Sequence, residues 1–87
     1  MNLLRFVEIN NKITNSKMKG YTVKVAVFLL GYDLESLLKN HIMVSQTVIA
    51  NSLGMNRTLV AKAIRELKEN KIIMTEKCGK LNIYRFI

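Results

Sequence analysis

The chain has 87 residues, nearly half of them apolar, with fourteen Lys and Arg against six Asp and Glu and a formal charge of +8. A chain of this length is expected to fold as one domain, residues 1–87, that withdraws about 60–65% of its unfolded surface from water; its apolar content and lack of proline argue against disorder. The cationic excess selects an anionic partner, which means DNA, RNA or an anionic membrane surface. The lone cysteine, Cys78, excludes an internal disulfide and a Cys-based zinc site, and it fits a cytoplasmic protein.

The opening MNLLRFVEI lacks the basic start, long apolar core and small-residue cleavage site of a signal peptide. Leu4 and Phe6, with Val7 or Ile9, predict a short strand ended by the turn-prone pair Asn10-Asn11. Residues Lys12 to Gly20 are polar. Their cations Lys12, Lys17 and Lys19 form either an arm near phosphate or, by default, a solvated face.

Tyr21 to Leu38 is the most apolar segment. Lys24, Asp33 and Glu35 interrupt it too early for a membrane span, which needs about 18 apolar residues or more. The alternation of Val23, Val25 and Val27 allows a strand, but Val23, Val27, Leu30, Leu34 and Leu37 continue at helical spacing, so a helix from about Thr22 is predicted. Gly31 is a mild breaker, worth about 1 kcal/mol against Ala, and a short turn from Asp33 is expected after it. Ile42 to Val44 then predict a short strand, and His41, the only histidine, an element boundary without metal partners.

Ser45 is suited to cap a short helix running to about Ser52, with Val48, Ile49, Ala50 and Leu53 on its apolar side. Gly54 stands where a chain leaving a helix needs positive φ. Asn56 predicts a second N-cap. Beyond it Val60, Ala63, Ile64 and Leu67 form one apolar stripe, so Arg57, Ala61, Lys62, Arg65 and Lys68 face outward. Two helices joined by a Gly-containing turn make a helix-turn-helix, and a cationic, small-residue outer face fits the major groove of B-DNA. Leu59 either meets a thymine methyl or packs inward. Asn70 is expected to end the helix in a left-handed conformation. Ile72 to Lys77 and Leu81 to Ile87 predict two strands, with Ile73, Ile83 and either Tyr84 or Phe86 toward the core. Gly79 supplies the tight turn. Lys77 and Lys80 then lie at the hairpin tip and Arg85 on its return strand, where cations meet phosphate or a minor groove.

The segment SLGMNRTLVAKAIRELKENKII resembles the second and third helices of bacterial winged-helix DNA-binding domains, and IIMTEKCGKLNIYRFI is similar to their two-stranded wing. The resemblance implies an α+β winged helix-turn-helix: three helices, a small antiparallel sheet with a hairpin wing, and an extra N-terminal strand. It also implies a DNA-contact set of Ser45, Gln46, Asn56, Arg57, Thr58, Ala61, Lys62, Arg65, Lys77, Lys80 and Arg85. The layout is similar to small plasmid and phage proteins: autorepressors, Firmicute plasmid replication proteins, and centromere-binding adaptors of tubulin-type partition systems. The expected function is sequence-specific binding of double-stranded DNA by a homodimer, as a transcriptional regulator or partition adaptor. The alternatives are a replication initiator, a winged-helix module for a further protein partner without DNA affinity, and a general polyanion binder.

Enzymatic chemistry is not expected. The chain has no Gly-rich phosphate loop, no paired acids in an apolar setting and no Ser-His-acid set around its single histidine, and no cofactor or metal is implied. Glu66 and Glu69 read as surface partners for neighbouring cations. The aromatics are not spaced as the stacking platform an RNA-binding sheet requires.

Overall fold

A computed structural model describes residues 2–32 and 39–87. In chain order they form α1 (Leu3–Asn15), α2 (Gly20–Gly31), β1 (Ile42–Val44), α3 (Gln46–Leu53), α4 (Arg57–Glu69), β2 (Ile73–Cys78) and β3 (Leu81–Phe86). The helices pack on one face of a three-stranded antiparallel sheet of order β1-β3-β2. This is an α+β winged helix-turn-helix with β2 and β3 as the wing.

The N-terminus is a helix, not the strand that alternation predicts. The Asn2 side chain accepts the Arg5 N–H at 2.8 Å and starts α1. Phe6, Ile9 and Ile13 then fall at three- and four-residue steps against the core, whereas Leu4, essential to the strand reading, is 68% exposed. Asn10 and Asn11 lie inside the helix, where the Asn10 carbonyl accepts from Thr14 Oγ1 at 2.8 Å. Lys12 is on α1 as well, and its Nζ donates to the Lys71 carbonyl at 3.1 Å, tying α1 to the end of α4. The described residues therefore hold four helices, not three.

The second helix is where the apolar spacing places it, but its buried face differs. Thr22, Val25, Ala26, Leu29 and Leu30 are buried, while Val27 is 53% exposed. A helix apolar on every side carries no phase in its sequence, so contact with α4 decides which residues go inside. The predicted turn at Asp33, with Leu34 and Leu37, lies outside the described residues.

Capping sets the helix-turn-helix. Ser45 Oγ accepts the Val48 N–H at 3.1 Å, Gly54 leaves α3 at φ 64°, and Asn56 Oδ1 accepts the Leu59 N–H at 2.9 Å. Val60, Ala63, Ile64 and Leu67 are all buried, as their spacing requires, against α2 and the sheet. On α3, Ile49 and Ala50 are buried and Val48 is exposed. The left-handed residue after α4 is Lys71 (φ 57°), not Asn70 (φ −84°). The Ile72 N–H reaches back to the Leu67 carbonyl at 2.9 Å and the Lys71 N–H to that of Lys68 at 3.0 Å, so the αL position falls one residue later. Asn70 instead turns its side chain back and donates to the Glu66 carbonyl at 2.8 Å.

Strand parity sorts the sheet. Ile42 pairs with Tyr84 and Ile73 with Phe86, and these four, with Val44, face the helices. Met43, Met74, Glu76, Ile83 and Arg85 are on the outer face. Ile83, expected toward the core, is only 7% exposed but stands outside the core cluster, on the opposite parity from Tyr84 and Phe86. Asn40 (φ 52°) extends the β1–β3 ladder: its carboxamide donates to the Phe86 carbonyl and accepts the Phe86 N–H, each at 2.8 Å.

Candidate nucleic-acid interface

Burying the stripe of α4 fixes what its opposite side presents. Arg57, Thr58, Lys62, Arg65 and Lys68 are exposed and Ala61, between them, is half-buried. Positions 57, 61, 65 and 68 follow one another along one side of the helix. Arg57 and Thr58 stand at its N-terminus, where unpaired N–H groups and the helix dipole favour an anion. Leu59 is half-buried.

The wing stands across a cleft from α4. Lys77 shares the inward parity of Ile73 and Thr75, opposite Asn82 in the β2–β3 register. Lys80 follows Gly79 (φ 62°) in the turn, beside the exposed Cys78. Two cavities flank this line. One, of about 330 Å³, lies between α4 and the wing and is lined by Gln46, Ala61, Arg65, Lys68, Lys77 and Tyr84 among others. The other, of about 240 Å³, lies between the start of α3 and the hairpin tip, with Ser45, Gln46, Arg57, Lys77 and Lys80 in its walls. Gln46, Lys77 and Asn82 border both.

The structure thus gathers Ser45, Gln46, Arg57, Ala61, Arg65, Lys77 and Lys80 around one cationic notch. It leaves Thr58 and Lys62 exposed beside it on α4. Ser45 and Asn56 spend a side-chain oxygen on capping, so their role there is to hold the two helix starts. Arg85 does not belong to the notch. It is on the outer face of the sheet, paired with Glu76, and its Nη2 donates to His41 Nδ1 at 3.1 Å. Parity explains this, because a strand that turns Tyr84 and Phe86 inward must turn Arg85 outward.

Two residues of the notch were not expected from the sequence. Asn82 is half-buried in the inward phase of β3, two residues before Tyr84. A poor strand former on the inward face is the signal that could have found it. The sequence points Tyr84 only toward the core. Its hydroxyl is buried, which pushes the phenol's pKa up, and the side chains of Asn82 and Gln46 beside it partly offset that. Neither amide meets it with normal hydrogen-bond geometry, and the hydroxyl has no partner among the described residues.

Among the described residues no cluster of three or more His, Cys, Asp or Glu side chains could hold a metal ion. No helix among them is long and apolar enough to cross a membrane.

The fold has a counterpart among solved structures. It is similar to the crystal structure of a possible transcriptional regulatory protein (fragment 1–100) from Mycobacterium bovis, with a TM-score of 0.54 and 21% identity over 97% of this chain and 76% of that one. That likeness is one of fold. No family model matches the chain, and no curated protein is similar to it in sequence.

Proposed function

We propose that the chain is a sequence-specific double-stranded-DNA-binding protein that acts in transcription regulation or as a DNA-binding adaptor of a plasmid or phage. One observation carries this reading: the outward side of α4 presents Arg57, Lys62, Arg65 and Lys68 as a continuous face, with Lys77 and Lys80 of the wing across the cleft. A helix with this face enters the major groove, and the wing meets the adjacent backbone. The Mycobacterium bovis protein of similar fold bears the name of a transcriptional regulator, which supports the same direction.

The reading includes a homodimer. One recognition helix reads only a few base pairs, and two-fold pairing doubles the site. The N-terminal half of α1 supports it, since Leu3, Leu4 and Val7 are exposed apolar residues on it. Selection of bound duplexes from a random pool tests the whole reading. A defined site, held much more tightly than scrambled DNA, is the expected result. Binding that is equal for all duplexes would reduce the protein to a polyanion binder, and no binding would leave a protein-contact module.

A further inference from the structure

Tyr84 poses a physical question that the fold alone does not answer. The residue is 1% exposed, and its ring is part of the hydrophobic core. Its hydroxyl is buried with no hydrogen-bond partner among the described residues. Buried polar groups nearly always have one. A Phe would fill the same space and leave no orphaned oxygen. The hydroxyl is therefore a burden on the free protein, and burdens of this kind concentrate at sites that work.

The surroundings show what the work would be. Tyr84 forms part of the wall of the 330 Å³ cleft, together with Gln46, Asn82 and the cations Arg65, Lys68 and Lys77. Glu76 borders the cleft from the edge strand, but its side chain belongs to the outer face of the sheet, where it is paired with Arg85. The side chains of Gln46 and Asn82 are near the hydroxyl without closing a bond to it. Each amide has two N–H donors and one carbonyl acceptor. A tetrahedral oxyanion in the cleft would draw the amide N–H groups toward itself. The carbonyl ends would then be turned back, where the Tyr84 hydroxyl can donate to them.

We propose that this cleft is the seat of one phosphodiester of bound DNA, and that Tyr84 is its positioning residue, orienting the amides of Gln46 and Asn82. The proposal rests on the DNA-binding reading above. Arg65, Lys68 and Lys77 supply charge, the two amides supply direction, and the hydroxyl gains in the complex the partner it lacks in the free protein. A phosphate carries no base identity, so this seat adds affinity to every sequence alike.

The test is Tyr84→Phe, measured by chemical denaturation and by titration of cognate and scrambled duplexes over a range of salt. The variant should be at least as stable as the parent, because an orphaned buried hydroxyl is gone. It should bind both duplexes about three- to tenfold more weakly, the loss of roughly one net hydrogen bond. Its salt slope should be unchanged, since no charge was removed, whereas Lys77→Ala should lower the slope by about one unit. A merely structural tyrosine would instead lower stability and leave affinity alone. Parent-like affinity in a folded Tyr84→Phe protein overturns the proposal. If that variant does not fold, Asn82→Ala decides in its place, with the same uniform loss expected and parent-like affinity overturning the assignment.

A second arm separates this seat from the DNA reading. Inorganic phosphate is titrated into the parent while the side-chain amide signals of Gln46 and Asn82 are followed by NMR. Movement of those signals that is absent in Tyr84→Phe supports the oxyanion seat even if no duplex binds. In that case the DNA reading alone has failed, and a free phosphate is the occupant. Signals that stay still, with no duplex bound, overturn both.

Discussion

The carboxylate of Glu66, on the helix that carries the cationic face, accepts the backbone N–H of Lys19 at 2.9 Å. Lys19 is the N-cap residue of α2 and its own side chain caps nothing. An acid forty-seven residues away thus closes the start of the helix that backs α4. The buried Thr22 hydroxyl faces the same carboxylate, close enough to stabilise its charge though outside strict hydrogen-bond geometry. Thr22 first, then the Lys19 N–H, hold the Glu66 carboxyl below the ordinary glutamate value of 4.5; partial desolvation opposes them and the Lys19 charge assists. Glu66 is therefore a link between α2 and α4, not the surface partner of neighbouring cations that its helical spacing suggests.

A pH dependence follows from the direction of that shift. A carboxyl whose pKa is lower folded than unfolded stabilises the fold above its unfolded value, and the contribution fades as pH falls through the folded value. Glu66→Gln should lower the melting temperature at pH 7, and the gap to the parent should close as the pH is taken below about 4.5. Thermal melts of both proteins between pH 3 and pH 7 check this. Equal melting temperatures at pH 7, or a gap that stays constant down to pH 3, would remove Glu66 from this role.

Lys71 offers a gain in stability. It holds φ 57° at the position where helices usually place glycine. Its side chain is exposed, and what it contributes to α1 is its carbonyl, which accepts from Lys12 Nζ. Lys71→Gly keeps that carbonyl and relieves the left-handed strain, so a gain on the order of 0.5–1 kcal/mol is expected in urea unfolding. A loss of stability would show that the lysine side chain matters more than its backbone.

Asn40 acts as a one-residue strand. Asn40→Ala removes both hydrogen bonds to Phe86 and leaves a β-carbon at φ 52°. The expected loss is about 2–3 kcal/mol. Asn40→Gly loses the bonds but tolerates the backbone, so about 1–2 kcal/mol is expected. Equal losses for the two variants would mean that the backbone conformation carries no strain.

What the sequence made legible is what short-range chemistry decides. Ser45, Gly54 and Asn56 act within three or four residues of themselves, and the helix-turn-helix could be read from them directly. The stripe on α4 was legible because its other side is polar, so the period has a phase. The N-terminus was not, because Leu4 and Phe6 satisfy a strand and a helix equally. What decides for the helix is burial of Ile9 and Ile13 in a core built by distant segments. Phase in α2 was hidden for the opposite reason, an excess of apolar residues. Arg85 is different: an inward Ile83 would carry Arg85 inward with it, and it is the burial of Tyr84 and Phe86 against the helices that sets the opposite parity and places Arg85 away from the notch. The notch itself depends on Gln46, Lys77 and Asn82 meeting from three segments, which no local pattern announces.

The division of labour around that notch can be resolved by four truncations. Arg57 and Lys62 are exposed on α4, Arg57 at its N-terminal end, the end that the proposed docking puts into a groove. Arg offers guanine a fixed bidentate fork and Lys a point charge, and either can reach the O6 and N7 edge. Arg57→Ala or Lys62→Ala should weaken cognate binding by about 1–3 kcal/mol and binding to scrambled DNA much less, so the specificity ratio falls. Lys80 sits in the wing turn, where a flexible cation meets phosphate. Lys80→Ala should weaken both duplexes alike and reduce the slope of log K against log salt by about 0.9, the value for one phosphate contact. Arg85 is engaged with Glu76 and His41 on the outer sheet face, so Arg85→Ala should leave affinity, specificity and slope unchanged. Titrations of the four variants on cognate and scrambled duplexes at several salt concentrations separate these roles. Loss of discrimination in Lys80→Ala, with Arg57→Ala and Lys62→Ala unaffected, would make the wing the reading element and reverse the docking. A large loss in Arg85→Ala would move the interface to the outer face of the sheet.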